Sequence, residues 1–232
     1  MQTSLKLIEV EQGSHEWLAA RLGIITASKA GLLLTAGKGD GGIGEGLATH
    51  IAGLTAENFT GEPYKHFDGN QFTERGKRLE PIVNNYYIAA NHNQGLPVYA
   101  AGIFHRDFIN NDPNDKYAFT VGASPDRLVG DTGWHDTKTT ENEKQVMLFD
   151  TDKISKDHIA QVQFCLWVTG REHWDYVSYS EGLPLYVQRL YPDHDMHALF
   201  FDKCKAAHYR IKKSMNNILI RSKHNGDSHA AK

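Results

Sequence analysis

Two cysteines in 232 residues are too few for a disulfide framework and too few for a four-thiolate metal or iron–sulfur site. Cys165 and Cys204 both fall in stretches of helical spacing, so a reducing cytoplasm is the expected compartment. No run approaches eighteen apolar residues, which excludes a membrane-crossing helix, and the opening stretch MQTSLKLIEVEQGSHEW has neither the basic nor the apolar segment of an export signal. An excess of one charge is missing as well. The 25 Lys and Arg stand against 28 Asp and Glu, a net charge of −3. A protein that coats nucleic acid by electrostatics alone needs many cations on phosphates, so only a local basic groove is left open.

What is present is 40% hydrophobic residues, enough for one domain with a real core, expected over residues 1–222 with a polar, disordered tail over 223–232. Residues 14–22 and 26–36 predict short helices, with Thr26 or Ser28 as N-cap of the second. Gly37, Gly39 and Gly42 have GxGxxG spacing, but they follow a helical segment rather than a strand. That context predicts a mobile loop and not a dinucleotide site. From Thr73, the residues Leu79, Ile82, Val83 and Tyr86 predict an amphipathic helix with one buried stripe. VYAAGIFH, YAFTVGASPDRLVG and GWHDTKTT then predict a meander of three strands. SKDHIAQVQFCLWVTG predicts a helix stopped by Gly170, HWDYVSYSE and LPLYVQRL two strands, and 193–222 a closing helix. This order predicts an α/β fold, a central mixed sheet flanked by helices.

Chemistry concentrates at SPDRLVGDTGWHDTKTT, residues 124–140. A turn near Gly130 to Gly133 brings Asp126 to the end of the sheet with Asp136 and Lys138, whose spacing of two places them on one face of a strand. Two converging carboxylates repel unless a cation lies between them, and such oxygen ligands suit Mg²⁺ or Mn²⁺. The adjacent amine has two uses, orienting or deprotonating a water and offsetting charge on a phosphoryl group. Together these point to phosphodiester hydrolysis. Taken alone, the short motif also describes a capped turn beside a surface ion pair. The pair His194 and His197 lacks a third ligand nearby in sequence, so a zinc site is not expected there.

Four blocks in order, from about Val10 to Tyr179, change the weight of that motif. EQGSHEWLAARLGIITAS, RGKRLEP, ASPDRLV followed by DTKTT, and HIAQVQFCLWVTG together resemble the lambda exonuclease-like (YqaJ) viral recombinases of the PD-(D/E)XK nuclease superfamily. The resemblance implies a restriction-endonuclease-like core. It implies that Glu80, Asp126 and Asp136 hold Mg²⁺, or Mn²⁺ in its place, together with the backbone carbonyl of Thr137, and that Lys138 serves the attacking water. It also implies a pocket for a 5′-terminal phosphate made by Arg21, Ser28, Ser124 and Gln161, with Lys38 as a strand-gripping cation. Arg presents a planar fork to phosphate, and hydroxyl and amide donors complete a cage without adding charge. Gln163, two residues on, reads as a structural hydrogen-bonder. The lambda pattern has Glu where this chain has Asp136, one methylene shorter, and members of the superfamily use either acid.

The implied activity is Mg²⁺-dependent 5′-to-3′ exonuclease action on linear double-stranded DNA, leaving 3′ single-stranded tails for recombination. A homotrimeric ring, a single-strand annealing protein as partner and a bacterial host cytoplasm follow from the same resemblance, with no membrane. Two rivals stand beside it: an endonuclease of the superfamily, which would cut circles, and a silent DNA-end-binding module.

Overall fold

The computed structural model of the chain describes residues 2–37, 42–64, 71–109 and 118–229, with only the backbone described at 71–73 and 224–229. Lys38, Gly39, Asp40 and Gly41 of the Gly-rich loop lie outside the described residues.

Nine strands form two sheets among the described residues, where the sequence predicts one. The first has the order β1-β4-β5-β2, built from β1 (Gln2–Ile8), β4 (Ile103–Ile109), β5 (Phe119–Ala123) and the short β2 (Ile25–Thr26). The second has the order β3-β6-β7-β8-β9, from β3 (Val98–Ala100), β6 (Arg127–Val129), β7 (Gly133–Thr139), β8 (His173–Tyr179) and β9 (Tyr186–Leu190). Both are mixed: β2 runs parallel to β5 and β7 parallel to β8, and the other pairs are antiparallel.

The predicted single meander fails at two places where the chain leaves one sheet for the other. The first is Ala101–Gly102, between β3 and β4, and the second is Ser124–Pro125–Asp126, between β5 and β6. Pro125 has no N–H to give a ladder, so pairing must stop there. The two crossings are tied together, because the Ser124 hydroxyl donates to the Gly102 carbonyl at 2.8 Å. A Cβ on Gly102 would collide with the Ile8 carbonyl oxygen of the neighbouring segment. Gly102→Ala is therefore expected to cost about 1–3 kcal/mol, read as a lower urea midpoint at unchanged slope. An unchanged midpoint would show that the close approach relaxes freely.

Among the described residues seven α-helices cover the sheets. The sequence predicts α1 (His15–Ala19), α2 (Ala30–Leu34, after a 3₁₀ turn at Ala27–Lys29), α4 (Gln71–Ala89), α6 (Lys156–Thr169) and α7 (His194–His229), but not α3 (Glu45–Thr60) or α5 (Asn142–Thr151). Thr26 stands at the cap position of the 3₁₀ turn without a side-chain capping bond; the working cap of this region is Ser14, whose hydroxyl accepts the Trp17 N–H. In α4 the buried stripe is Leu79, Val83 and Tyr87, while Ile82 and Tyr86 are exposed. The strict i, i+4 row faces Val129 and Val177. Gly170 ends α6 with a left-handed backbone, as expected. Helix α7 buries Phe200, Cys204, Ala207 and Ile211 at helical spacing. It carries through residues 223–229 of the expected tail; 230–232 lie outside the described residues.

Helix α6 is the common wall of the molecule, packing on β4 and β5 of one sheet and on β8 of the other. Cys165 on α6 and Cys204 on α7 are free and buried.

Candidate active site

The second crossing places the candidate residues. Arg127 pairs with His135 across the β6–β7 hairpin, so antiparallel register puts Asp126 beside Asp136. The Asp126 carboxylate accepts the Thr137 N–H at 3.1 Å and shares a hydrogen bond with Asp136. Lys138 Nζ lies 2.5 Å from Asp136 Oδ2. Asp126, Asp136, Thr137 and Lys138 are thus brought together as the sequence predicts.

Their electrostatics divide sharply. Burial, and then the charge on Asp136, raise Asp126 well above the usual carboxylate range. Burial also works against the charge of Asp136, but the Lys138 ammonium and the hydrogen bond from Asp126 hold it below that range. For Lys138, burial is outweighed by Asp136 and Asp126, and its pKa is raised. The resulting state is a protonated Asp126, an ionised Asp136 and an ammonium at Lys138.

Alternation along β7 explains where Glu80 stands. Asp136 and Lys138 share one face of the strand, and His135 and Thr137 share the other. Helix α4 covers the second face: Asn84 Oδ1 lies 3.0 Å from His135 Nε2, and the Tyr87 ring lies tilted against the His135 ring with centroids 4.4 Å apart. Glu80, on that helix, pairs with Arg127 at 3.2 Å. It is near enough to raise Asp126 further, yet no three His, Cys, Asp or Glu side chains converge on one point among the described residues.

The donor set fits a hard divalent cation. Two buried carboxylates are held together by a single proton, and Asp136 Oδ2, for all its closeness to Lys138, has no well-directed hydrogen bond. An oxygen-seeking cation replaces such a proton. Asp126 and Asp136 are the residues placed to hold it, with the Thr137 backbone between them; Glu80 must leave Arg127 to join them.

A second group gathers at α1. Arg21 Nη2 donates to Thr26 Oγ1 at 3.2 Å and to Ser28 Oγ at 3.1 Å, and its guanidinium lies 4.2 Å over the Trp17 ring. Trp17 Nε1 in turn donates to Ser124 Oγ at 2.8 Å. Arg21, Ser28 and Ser124 therefore form one cluster, and burial lowers the Arg21 pKa. The single proton of the Ser124 hydroxyl is committed to Gly102, which leaves that oxygen as an acceptor here. Gln161 is half-buried on α6 without a hydrogen bond among the described residues. One turn further on, the Cys165 thiol, pushed up first by burial and then by Asp136, also feels Arg21. The two clusters meet at that point of α6.

Several neighbours escape a reading of the sequence. Trp17 joins the clusters, and Trp17→Phe keeps the ring under Arg21 while deleting the bond to Ser124. That variant is expected to lose about 1 kcal/mol in chemical denaturation; an unchanged stability would show that water replaces the bond. Tyr176 is the β8 partner of Asp136, with its phenol 3.2 Å from His158 Nδ1. Burial pushes Tyr176 up to about 12 and lowers His158, so both stand neutral beside Lys138. By contrast Gln163 is structural, as expected: it donates to the Tyr191 carbonyl at 2.8 Å and accepts from the Asp193 N–H at 2.8 Å. His197 lies 3.1 Å from the same amide oxygen.

A mixed sheet that carries paired acids and a lysine at a hairpin end, with an acid-bearing helix behind it, defines the PD-(D/E)XK-like class. The chain belongs to the YqaJ-like viral recombinase domain family, whose model matches residues 16–172. An alkaline exonuclease from Laribacter hongkongensis is similar at 27% identity and a TM-score of 0.72, covering 91% of this chain and 99% of that one. The same enzyme in complex with dAMP matches equally. A phage related exonuclease from Haemophilus somnus shares the fold at 13% identity and a TM-score of 0.57, over 84% of this chain and 96% of that one. No curated protein sequence matches the chain.

Proposed function

We propose that the chain is a nuclease, and more specifically a Mg²⁺-dependent 5′-to-3′ exonuclease on linear double-stranded DNA that leaves 3′ single-stranded tails. The observation that carries this reading is the contact of Asp126 with Asp136 beside Lys138 at the sheet crossing. Family membership and the 27%-identical alkaline exonuclease support it.

Bound between Asp126 and Asp136, Mg²⁺ would supply polarisation of a phosphoryl oxygen and acidification of a water. The protein's own groups do the rest. Lys138 is a cation in this structure, which favours the charge-offsetting role over that of a base: its Nζ donates toward oxygen on which negative charge builds. Tyr176 and His158 lie close enough to Lys138 for each to feel its charge. Arg21 has donors left beyond those spent on Thr26 and Ser28, and with Ser28 and Gln161 it makes a pocket suited to a terminal phosphate, which Ser124 joins as a donor only by turning its hydroxyl away from Gly102. Holding that phosphate selects which phosphodiester lies at Asp126, and so sets polarity. A homotrimeric ring acting with a single-strand annealing protein in a bacterial cytoplasm is the assembly that the family resemblance favours, and ring closure would concentrate cations that a chain of net charge −3 otherwise spreads.

Linear duplexes with a 5′ phosphate or a 5′ hydroxyl, and closed circles, each with and without Mg²⁺, test the reading. Metal-dependent loss of the 5′-phosphorylated strand is the expected result. Cutting of the circle would replace the exonuclease by an endonuclease, and binding without cleavage would leave a DNA-end-binding module.

A further inference from the structure

We infer that Arg127 is a positioning residue that competes with the metal for Glu80, so that its ion pair sets how tightly the site takes up a divalent cation. This rests on the reading of Asp126 and Asp136 as the metal-holding pair.

Arg127 follows Asp126 directly and pairs across the hairpin with His135, which precedes Asp136. It therefore points to the α4 side of the sheet, away from the Asp136 and Lys138 face. There its Nη2 meets Glu80 Oε1 at 3.2 Å, with the side chains 24% and 35% exposed. Among the described residues Glu80 is its one hydrogen-bond partner, and its buried Nε has none. A guanidinium anchored through one arm, next to a carboxylate that has no other partner, is a two-position device. Either Glu80 stays with Arg127, or it turns to the metal and the pair breaks.

The same contact explains why three acids close in the sequence reading are not one cluster in the structure. The hairpin register already sets the buried Asp126 and Asp136 carboxylates side by side, where like charges repel. A third carboxylate facing them would add to that repulsion, and Arg127 holds that third charge aside until a cation makes it welcome. Lys138 cannot do this, because it is spent on Asp136 from the opposite face of the strand. No other cation contacts Glu80 among the described residues.

The experiment is Mn²⁺ binding to the full chain without DNA, followed by calorimetry and by the electron paramagnetic resonance of the ion, for the native protein, Arg127→Met, Glu80→Gln and the double variant. Removing Arg127 is expected to tighten Mn²⁺ binding about five- to tenfold when Glu80 is present, and by less than about twofold in the Glu80→Gln background. Arg127→Lys, which keeps the charge and loses the fork, is expected to fall between native and Arg127→Met, and it serves if the Met variant does not fold. Equal tightening in both backgrounds would mean that Arg127 acts only as a through-space charge, and would overturn the inference. So would unchanged or weakened binding. If the native protein binds no Mn²⁺, or binds it equally after Asp136→Ala, the metal reading of the pair fails as well. Uncoupled variants on an intact site remove the latch alone.

Discussion

Asp126→Asn is expected to lose cleavage by about 10³-fold or more while raising the thermal midpoint of the metal-free protein. The two effects share one cause. Asp126 is buried against an ionised neighbour and is held in its protonated form. In the unfolded chain the same group ionises near pH 3.9. A carboxyl whose folded pKa is raised binds more protons folded than unfolded, so the stability it confers is present below about pH 3.9 and is lost as pH rises through its folded value. Asn has the same shape, keeps an oxygen to accept the Thr137 N–H, offers an amide hydrogen to Asp136, and carries no charge at any pH. The gain is expected to be larger at pH 8, where the unfolded chain would hold the Asp126 carboxyl fully ionised. It should be smaller at pH 5. Thermal unfolding in the presence of a chelator at both pH values, together with single-turnover cleavage of a 5′-phosphorylated duplex, reads both. A variant that is less stable at both pH values, or that still cuts, would contradict the protonated pair.

Lys138→Met is expected to abolish cleavage by a comparable factor, about 10²–10³-fold, but with the opposite effect on stability. Asp136 is 3% exposed, and the lysine ammonium is what keeps it ionised against burial. Deleting the ammonium leaves a buried carboxylate that must take up a proton or stand unpaired. Breaking a fully buried pair costs about 3–5 kcal/mol; a partly exposed ammonium brings the expectation down to about 2–3 kcal/mol. The pH dependence has the reverse sign as well. A lowered folded pKa gives stability that is present above about pH 3.9 and disappears as pH falls through the folded value, so native and variant midpoints should converge on acidification. A variant as stable as the native protein at neutral pH would show that the ion pair contributes nothing net. The contrast between the two substitutions is itself diagnostic, because a site that merely tolerated two surface acids would give neither sign.

The elements that could be read from sequence are those in which local pattern and burial agree. Helix α6 has apolar residues on most sides, a Ser cap and a Gly stop, and β8 and β9 are short runs bounded by turn formers; each lies where the sequence puts it. Helix α4 was legible in extent and less so in face. Ile82 and Tyr86 look like core residues, but only the row through Leu79, Val83 and Tyr87 meets the sheet. Division into two sheets was not legible, because β5 and β6 are separated by three residues and read as one strand with a kink. The signal was there in Pro125. At the site, Asp126, Asp136 and Lys138 follow from strand parity, a local rule. The Arg127 contact with Glu80 and the Trp17 contact with Ser124 join residues 47 and 107 positions apart, and no local rule reaches that far.

Ser124 and Asp126 lie on the same short crossing, one bonded to Trp17 and the other to the strand that carries Asp136. Between them stands Pro125, with its fixed φ and its carbonyl held by Gln12 Nε2 at 2.6 Å. Two residues of extended chain measure about 6–7 Å, and no loop movement or domain closure alters that length. Were a strand end seated beside Ser124 and the bond to be cut at Asp126, as the proposed function has it, the covalent chain would act as a caliper, fixing the size of the piece removed at each bite. An extra residue spliced in beside Pro125 should then change what is released before it changes how fast.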